Sequence, residues 1–315
     1  MTTSVYSHAL VTGGAGFIGS HLVQSLLDQG LAVTVLDDLS VGQRDSVPDG
    51  ARLIEGDVRD VSALRDALAG VDVVFHLAAK VSIRASVETF KNDADVNLMG
   101  TLALVEALEG QSVRRVIMAS SMAVYPDLPN PDPIGEDHAL GPLSPYGTGK
   151  MAAERYLLQM GEAMDVEIVP LRFFNVYGPG QSYTPYVGVI TIFATKLLQG
   201  ETPVIFGDGE QVRDFVHVSD IVQGLVKAMQ NGQAGRVYNI GAGEGRSVND
   251  VARVLRATLA PDIKPIYAKL HRVETRNSVA DIRRARAELD YEPKAIFERD
   301  IGPVLVGIKA KLSSE

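Results

Sequence analysis

The stretch Thr12-Gly13-Gly14-Ala15-Gly16-Phe17-Ile18-Gly19 decides the fold of this chain of 315 residues. It follows the apolar run His8–Thr12, which is typical of a buried strand, and it opens the helical pattern Phe17–Gln29. Its glycines at three-residue spacing allow a tight turn and bring a helix N-terminus close to a bound pyrophosphate. A strand, a glycine turn and a helix in this order predict a dinucleotide site that includes Gly13, Gly16 and Gly19.

The same alternation of strand and helix continues through the first half of the chain. Continuous apolar strands that alternate with helices are typical of a parallel sheet covered on both faces. Because crossovers between parallel strands are right-handed, we expect a doubly wound Rossmann fold of the α/β class. The predicted strands are His8–Thr12, Ala32–Leu36, Arg52–Glu55, Val71–His76, Arg114–Ala119 and Val166–Leu171, and the predicted helices are Phe17–Gln29, Ser62–Ala69, Asn92–Leu108 and Pro145–Met160.

The regular alternation of strands and helices ends after about Phe174, where glycine and proline become frequent. We therefore expect a Rossmann domain over residues 1–173. Residues 174–315 are expected to form mainly a smaller, mixed α/β domain that binds the substrate. Some segments of this second part are expected to return to the Rossmann domain.

The amino-acid composition argues against several classes of binding partner. A net charge of −9 argues against nucleic acid or an anionic membrane, since both favour a basic surface. The absence of cysteine excludes disulfides, thiolate nucleophiles and cysteine-based zinc sites, and the six histidines show no spacing typical of metal ligands. There is no signal-peptide pattern and no apolar run of the roughly 20 residues that a membrane span needs. We expect a cytoplasmic enzyme without a bound metal.

Two carboxylates follow strands of the predicted sheet. Asp37 lies 18 residues after Gly19, at the end of the second strand, where a carboxylate accepts hydrogen bonds from the adenosine ribose and repels a 2′-phosphate. This position favours NAD over NADP. Asp57 ends the third strand, and it is expected either to meet the adenine amino group or to cap the next helix.

Candidate catalytic residues lie further along. Tyr146 and Lys150 are spaced i and i+4, which places a phenol and an ammonium on one face of a helix. Lysine, together with the positive charge of oxidised nicotinamide, would favour the phenolate of a tyrosine and make it a base. Ser120 and Ser121 end the fifth strand, at the carboxyl edge where such sheets bind ligands. A serine, the tyrosine and the lysine there would share the proton of a sugar hydroxyl while hydride leaves its carbon.

These motifs resemble those of the extended short-chain dehydrogenases/reductases. Within that group the chain is similar to the NAD-dependent epimerase/dehydratase family, and most similar to its UDP-hexose 4-epimerases. The resemblance runs from His8 to about Pro293 and implies a two-fold dimer in which helices Asn92–Leu108 and Pro145–Met160 pair as a four-helix bundle. The residues that carry it are Thr12–His21, Asp37, His76–Ala79, Asn97, Gly100-Thr101, Ser120-Ser121, Tyr146, Lys150, Asn175–Pro179 and Arg213–Val218.

The resemblance implies a redox cycle in one site. Tyr146 takes the proton of the sugar 4-hydroxyl while C4 passes hydride to NAD, the 4-keto sugar turns, and hydride returns to its other face. Ser121 bridges the tyrosine and the sugar oxygen, and Lys150 binds the nicotinamide ribose and lowers the pKa of the tyrosine. The cofactor contacts expected besides Tyr146 and Lys150 are Gly13, Gly16, Phe17, Ile18, Gly19, Asp37, Asp38, Asp57, Val58, Leu77, Ala78, Ala79, Lys80, Asn97 and Phe173.

The expected substrate is a UDP-sugar, and the family positions of Asn175 and Arg213 hold its diphosphate. One departure from the family pattern is that His271 stands where an arginine is usual, with Arg272 one place late. The substrate contacts expected are Ser82, Arg84, Ser121, Tyr146, Asn175, Arg213, Arg272, Glu274 and Ser278.

Two of these positions concern the sugar itself. Ser278 stands where epimerases carry either a large aromatic or a small residue, and a small one leaves room for an N-acetyl group at C2. It is otherwise a serine in a turn. Arg84 is expected either to meet a sugar carboxylate, as in uronate epimerases, or to be a surface residue.

The residues after Ser121 separate members of the family. Dehydratases and decarboxylases need an acid near this serine, whereas Met122 and Ala123 do not transfer protons. An epimerase is therefore favoured. The alternatives are an NAD(P)-linked 4-ketoreductase that releases its cofactor, a 2-epimerase or a UDP-glucuronate 4-epimerase, and a non-catalytic NAD-binding module. The intact set of serine, tyrosine and lysine argues against the last of these.

Overall fold

The computed structural model describes residues 5–128, 132–184, 188–269 and 275–314 of the chain. Within these ranges strands and helices alternate through the first half, as the sequence predicts. The strands are His8–Thr12 (β1), Ala32–Asp37 (β2), Arg52–Glu55 (β3), Val73–His76 (β4), Arg115–Ser121 (β5), Glu167–Phe173 (β6), Asn175–Tyr177 (β7), Val204–Phe206 (β8), Val212–His217 (β9), Tyr238–Ile240 (β10), Gly245–Ser247 (β11), Ile266–Ala268 (β12) and Asn277–Ser278 (β13).

Several helices begin at residues whose side chains cap the free backbone amides of the first turn. Ser144 precedes Pro145, and its hydroxyl accepts a hydrogen bond from Gly147 N at 3.1 Å. No helix among the described residues is long and apolar enough to cross a membrane. The helices are Phe17–Asp28 (α1), Val61–Ala67 (α2), Ile83–Glu88 (α3), Phe90–Ala94 (α4), Gly100–Leu108 (α5), Pro145–Met164 (α6), Val189–Leu198 (α7), Val218–Asn231 (α8), Val248–Leu259 (α9), Arg283–Leu289 (α10) and Phe297–Ser314 (α11).

The central sheet is parallel and has seven strands in the order β10-β6-β5-β4-β1-β2-β3. Strand order reverses between β1 and β4, because β2 and β3 extend the sheet to one side and β5, β6 and β10 extend it to the other. The carboxyl ends of β1 and β4 therefore flank the crevice in which doubly wound sheets bind ligands. The predicted Rossmann fold is confirmed.

The predicted helix Asn92–Leu108 is divided into α4, a π-helical turn at Asp95–Met99 and α5. The predicted helical stretch is confirmed, and the π-helical turn within it is a feature that the sequence did not predict. The turn places Asn97 against the backbone of Lys80, where Lys80 N donates to Asn97 Oδ1 and Asn97 Nδ2 donates to Lys80 O, both at 2.9 Å. These two hydrogen bonds stabilise an irregular turn, which is common at functional sites and invisible to helical periodicity.

Two apolar cores cover the faces of the central sheet. One packs α1, α8 and α10 on the sheet, and the other packs α2, α5 and α6 on the opposite face. Since β10, α8 and α10 belong to these layers, parts of the chain after residue 174 pack on the Rossmann sheet. A third core joins α7, α9 and α11 beside the small sheets. The domain boundary at residue 174 stays a prediction.

The buried carboxylate of Asp214 joins three segments of the second half. It accepts hydrogen bonds from Ala242 N at 2.7 Å, Gly243 N at 2.9 Å and Ala280 N at 3.2 Å. Burial raises the pKa of Asp214 to about 6, although these bonds favour its charged form. These hydrogen bonds hold β13 beside β9, where Ser278 pairs in register with Arg213.

A buried ion pair links α6 to the sheet. Arg172 on β6 donates to Glu154 on α6 through Nη2 at 2.6 Å and Nε at 3.1 Å, and Glu154 is 1% exposed. Ser120 Oγ also donates to Glu154 Oε2, at 2.8 Å, and Arg172 Nη1 donates to Tyr125 Oη at 2.8 Å. Removing one member of such a pair leaves its partner charged and buried.

We expect Glu154→Ala to lower the free energy of unfolding by about 3–5 kcal/mol, because Arg172 then lacks its counter-charge. The matched control is Glu201→Ala, which breaks the exposed pair with Lys196 at 2.9 Å. That change should cost less than about 1 kcal/mol. Urea unfolding of both variants measures the difference, and equal effects would contradict a buried, unscreened pair.

Candidate active site

The glycine turn after β1 is shaped by close contacts. Gly13 has φ +72°, and a Cβ placed on it would lie 2.8 Å from Ala78 N. A Cβ on Gly19 would lie 2.2 Å from Gly13 O. Both glycines are therefore required by the fold itself. At Gly16, by contrast, an added Cβ would meet one atom within 4 Å in the described ranges, Gly13 O at 3.2 Å, so Gly16 leaves the helix N-terminus open to a ligand.

Asp37 lies at the end of β2, where it binds the glycine turn. Its Oδ2 accepts from Ala15 N at 3.0 Å and its Oδ1 accepts from Leu39 N at 2.9 Å. Burial raises the pKa of Asp37, and the two backbone bonds oppose this rise. Each carboxylate oxygen retains a further lone pair, so the residue can still accept ribose hydroxyls. Asp38 accepts from Ser40 N at 3.0 Å and is more exposed.

Asp57 follows β3 and forms an ion pair with Arg59, which lowers its pKa through a side-chain hydrogen bond. Its Oδ1 also accepts from Arg59 N at 2.9 Å. Asp60, and not Asp57, caps α2 by accepting from Ser62 N, so the helix-cap interpretation of Asp57 is wrong. Contact with adenine stays a prediction. The next residue, Val58, packs against the π-turn end at Gly100.

A chain of buried hydrogen bonds connects the ends of β1 and β4 with the π turn. Thr12 Oγ1 accepts from Ala78 N at 3.2 Å and lies 2.9 Å from His76 Nδ1, and His76 Nε2 lies 3.0 Å from Thr101 Oγ1. Thr101 Oγ1 donates to Asn97 O at 2.8 Å. Burial lowers the pKa of His76 to about 3, so the ring is neutral and each nitrogen takes one role.

This chain orders several of the predicted cofactor contacts. It holds the segment Leu77–Lys80 against the glycine turn, since Leu77 N donates to Thr12 O at 3.1 Å and Lys80 binds Asn97. Sequence reasoning did not assign the roles of Thr12 and Thr101. A signal was present, because His76 precedes Leu77-Ala78-Ala79 within a motif of the family.

The N-terminal part of α6 carries Tyr146 and Lys150, both buried. Lys150 Nζ donates to Ala119 O on β5 at 3.0 Å. The side chain of Ser121, which ends the same strand, lies close enough to Tyr146 to lower the pKa of its phenol. Gly147 permits this approach, since a Cβ there would lie 2.2 Å from Ala123 O. The structure thus brings the three predicted catalytic side chains together.

The two serines at the end of β5 face opposite ways, as neighbouring residues of a strand do. Ser120 donates to Glu154 in the core, whereas Ser121 accepts from Ala123 N at 3.2 Å and lowers the pKa of the nearby Tyr146. The serine at the candidate active site is therefore Ser121. Phe173 on β6 pairs in register with Ser121 and is buried beside the site.

Burial shifts both titratable catalytic groups. It raises the pKa of Tyr146 to about 12 and lowers the pKa of Lys150 to about 8. The side chain of Ser121 lowers the pKa of Tyr146, against the effect of burial. That Lys150 also lowers the pKa of Tyr146 stays a prediction. Asp93, which sequence reasoning did not single out, acts on both groups.

The predicted substrate contacts lie on both sides of the crevice. Ser82 caps α3 by accepting from Ala85 N at 3.0 Å. The Arg84 guanidinium lies 4.6 Å from the ring centroid of Phe206, a residue of β8, so it bridges the two halves of the chain. Phe17 on α1 lies beside Gly178 and follows Gly16, while its neighbour Ile18 packs on the core.

The remaining substrate positions lie in the second half. Asn175 Nδ2 donates to Asp214 O at 3.2 Å, and Arg213 Nη1 donates to Val212 O at 2.9 Å. Ser278 is 1% exposed, and its hydroxyl donates to Met122 Sδ at 3.2 Å, next to Ser121. Its role as a size gate stays a prediction. Arg272 and Glu274, with His271, lie outside the described residues.

Comparison with known proteins agrees with this arrangement. A curated UDP-glucose 4-epimerase of Mycolicibacterium smegmatis is 36% identical over 93% of this chain and 95% of that protein. The structure of a Thermotoga maritima UDP-glucose 4-epimerase with UDP-glucose is similar with a TM-score of 0.93, 35% identity, and coverage of 97% and 99% of the two chains. A Thermus thermophilus UDP-glucose 4-epimerase in complex with NAD has a TM-score of 0.89, 34% identity, and coverage of 96% and 99%.

The family assignment rests on most of the chain. The sequence pattern of the NAD dependent epimerase/dehydratase family matches residues 9–241. This range includes the glycine turn, Asp37, Ser121, Tyr146 and Lys150, all of which the fold collects at one edge of the sheet. The chain is a member of the NAD dependent epimerase/dehydratase family.

Proposed function

We propose that this enzyme epimerises a UDP-sugar at C4, interconverting UDP-glucose and UDP-galactose or their N-acetyl forms through a 4-keto intermediate. The observation that carries the proposal is the contact of Tyr146 with Ser121, beside Lys150, at the carboxyl edge of a Rossmann sheet. The relatives named for UDP-glucose 4-epimerisation, alike over nearly the whole chain, support the choice of reaction. A cytoplasmic location stays a prediction.

The residues at the crevice fit NAD. Gly16 leaves open the approach to the first turn of α1, and the carboxylate of Asp37 has lone pairs left for ribose hydroxyls. Lys150 has three N–H groups, one of which is used by Ala119 O, so two remain for ribose oxygens. When bound, NAD accepts hydride from C4 of the sugar and returns it.

The protein's own residues manage the proton of the 4-hydroxyl. Tyr146 accepts this proton as C4 is oxidised and donates it back to the same oxygen as C4 is reduced, so no proton is consumed. Ser121 can hold the hydroxyl oxygen and the phenol in one hydrogen-bonded line. Because burial raises the pKa of Tyr146 to about 12, the phenolate needs positive charge close by. The Lys150 ammonium and the oxidised nicotinamide would supply it.

The turn after Ser121 favours epimerisation over elimination. Met122–Val124 forms a single turn of 3₁₀-helix, and the Met122 thioether accepts a hydrogen bond from Ser278. Neither Met122 nor Ala123 transfers a proton, so no acid lies there to act on C5 or on a leaving 6-hydroxyl. Oxidation and reduction at a single carbon need none.

Binding of NAD should depend on the lack of a side chain at Gly16. We expect Gly16→Ala to fold with a small local shift, because the added Cβ would lie 3.2 Å from Gly13 O. It should weaken NAD binding by about 5- to 150-fold, which corresponds to about 1–3 kcal/mol of overpacking against the pyrophosphate. The matched control is Gly302→Ala on α11, where a Cβ meets nothing within 4 Å. Calorimetric titration with NAD measures both, and unchanged affinity in Gly16→Ala would contradict the placement of the pyrophosphate.

The rate of epimerisation should depend on the phenol of Tyr146. Without added cofactor, the purified protein should interconvert UDP-glucose and UDP-galactose, and Tyr146→Phe should lose about 10²- to 10⁴-fold in rate because it removes the proton acceptor. The control Tyr267→Phe removes a hydroxyl from a side chain that is 58% exposed on β12. Exchange of the sugars is followed by proton NMR.

The panel of substrates includes UDP-N-acetylglucosamine and UDP-glucuronate. Turnover of UDP-glucuronate alone would replace the proposed function by a uronate epimerase and direct attention to Arg84. A Tyr146→Phe variant within a few fold of the unchanged protein would mean that Ser121 or water carries the proton.

We further propose a homodimer built on α4, the π turn and α6. These elements pack side by side and leave apolar side chains exposed, namely Phe90 at 64%, Met99 at 51% and Met160 at 38%. Light scattering at micromolar concentration should give twice the mass of one chain. Phe90→Asp should shift the protein toward the monomer, whereas Val306→Asp, at a side chain 70% exposed on α11, should not. A monomeric unchanged protein would contradict the proposal.

A further inference from the structure

Asp93 is a buried carboxylate that the proposed mechanism leaves without a role. It lies on α4 and is 2% exposed. Its Oδ1 atom has no hydrogen-bond partner among the described residues. A buried acid with an unsatisfied oxygen is unfavourable for folding, and such groups concentrate at functional sites.

The packing of α4 places Asp93 against the catalytic helix. A Cβ on Gly149 would lie 3.7 Å from Asp93 Oδ1 and 3.7 Å from Asn97 Cβ. Gly149 stands directly before Lys150 and three residues after Tyr146 on α6. The Asp93 carboxylate therefore lies next to the part of α6 that carries both catalytic groups.

The negative charge of Asp93 raises the pKa values of both groups, which favours the ammonium form of Lys150 and the neutral form of Tyr146. At Lys150 this charge opposes burial, which lowers that pKa to about 8. Burial raises the pKa of Asp93, and the Asn97 side chain and the charge of Lys150 lower it. His76, which also senses Lys150, is neutral and supplies no counter-charge.

Several charged and titratable groups lie on the elements packed against α4. Those whose pKa Asp93 shifts are Lys150 and Tyr146. Asp95 is on the π turn and acts on Arg59 instead. The other groups are Arg84 and Glu88 on α3 and Glu154, Arg155, Tyr156 and Glu162 on α6.

We propose that Asp93 is a positioning residue that keeps the Lys150 side chain in its ammonium form at the pH where the enzyme works. Lys150 is 3% exposed and its one protein hydrogen bond in the described ranges goes to the neutral Ala119 carbonyl. A buried ammonium with no anion nearby loses its proton readily. Asp93 supplies that anion, so the lysine keeps all three N–H groups as donors. This inference rests on the proposed function.

The test follows the titration of Lys150 directly. Protein labelled with ¹³C at the lysine ε carbon is titrated by NMR, and the Lys150 signal is the one absent from Lys150→Met. In the unchanged protein its midpoint should lie near 8, and in Asp93→Asn it should fall by about one pH unit or more, since a buried opposite charge is worth about this much. The control Asp95→Asn removes the same charge two residues away and should leave the midpoint in place.

The pH dependence of epimerisation gives a second reading. Asp93→Asn should shift the alkaline limb to lower pH, because Lys150 then loses its proton earlier, and a one-unit shift lowers the rate at pH 8 by about fivefold. The acid limb should shift the same way, since Asp93 also raises the pKa of Tyr146. A role in packing alone would lower the rate at every pH without moving either limb.

The outcomes separate this inference from the proposed function. An unmoved Lys150 midpoint in Asp93→Asn, or a lysine already neutral at pH 7 in the unchanged protein, would overturn the role of Asp93 even if the sugars are epimerised. If the Lys150 midpoint moves but the protein turns over none of the sugars, the role of Asp93 is supported and the proposed reaction is contradicted. If Asp93→Asn does not fold, the smaller neutral variant Asp93→Ser and the unchanged protein still decide the point.

Discussion

The contact of α6 with the end of β5 is the constraint on which the rest of the site depends. Three interactions fasten it within about two turns of helix: Gly147 lies against Ala123 O, Lys150 donates to Ala119 O, and Glu154 accepts from Ser120. The buried ion pair of Glu154 with Arg172 links this contact to the core. Since Tyr146 belongs to the same helix and Ser121 to the same strand end, their contact follows from this packing.

The cofactor side of the crevice has a different origin. It depends on close backbone contacts and on a neutral histidine instead of on charge. Gly13 lies against the backbone at Ala78, and the Thr12, His76 and Thr101 side chains join β1, β4 and the π turn into one rigid edge. A neutral imidazole suits this place because a cation between buried threonines would lack a counter-charge. The site thus combines a rigid neutral half with a charged half.

The sequence predicts the local pattern well and the long-range geometry poorly. The glycine turn and the strand His8–Thr12 follow from spacing and apolar runs, and these are confirmed. The π turn that holds Asn97 depends on hydrogen bonds to Lys80, which no periodicity reveals. Which of two adjacent serines faces the tyrosine depends on strand register. The burial of Asp93 depends on how α4 packs against Gly149, a contact between segments 56 residues apart in the chain.

Because Tyr146 and Lys150 are buried, each needs charged groups nearby to hold the protonation state in which it works. An ordinary lysine and tyrosine lose their protons at similar pH, but burial raises the pKa of Tyr146 to about 12 and lowers the pKa of Lys150 to about 8. The lysine would therefore lose its proton first, and the phenol would remain protonated throughout the neutral range. Positive charge beside the phenol reverses this tendency. Proton transfer at Tyr146 is in this way tied to an occupied, oxidised cofactor site, which couples the proton step to the hydride step.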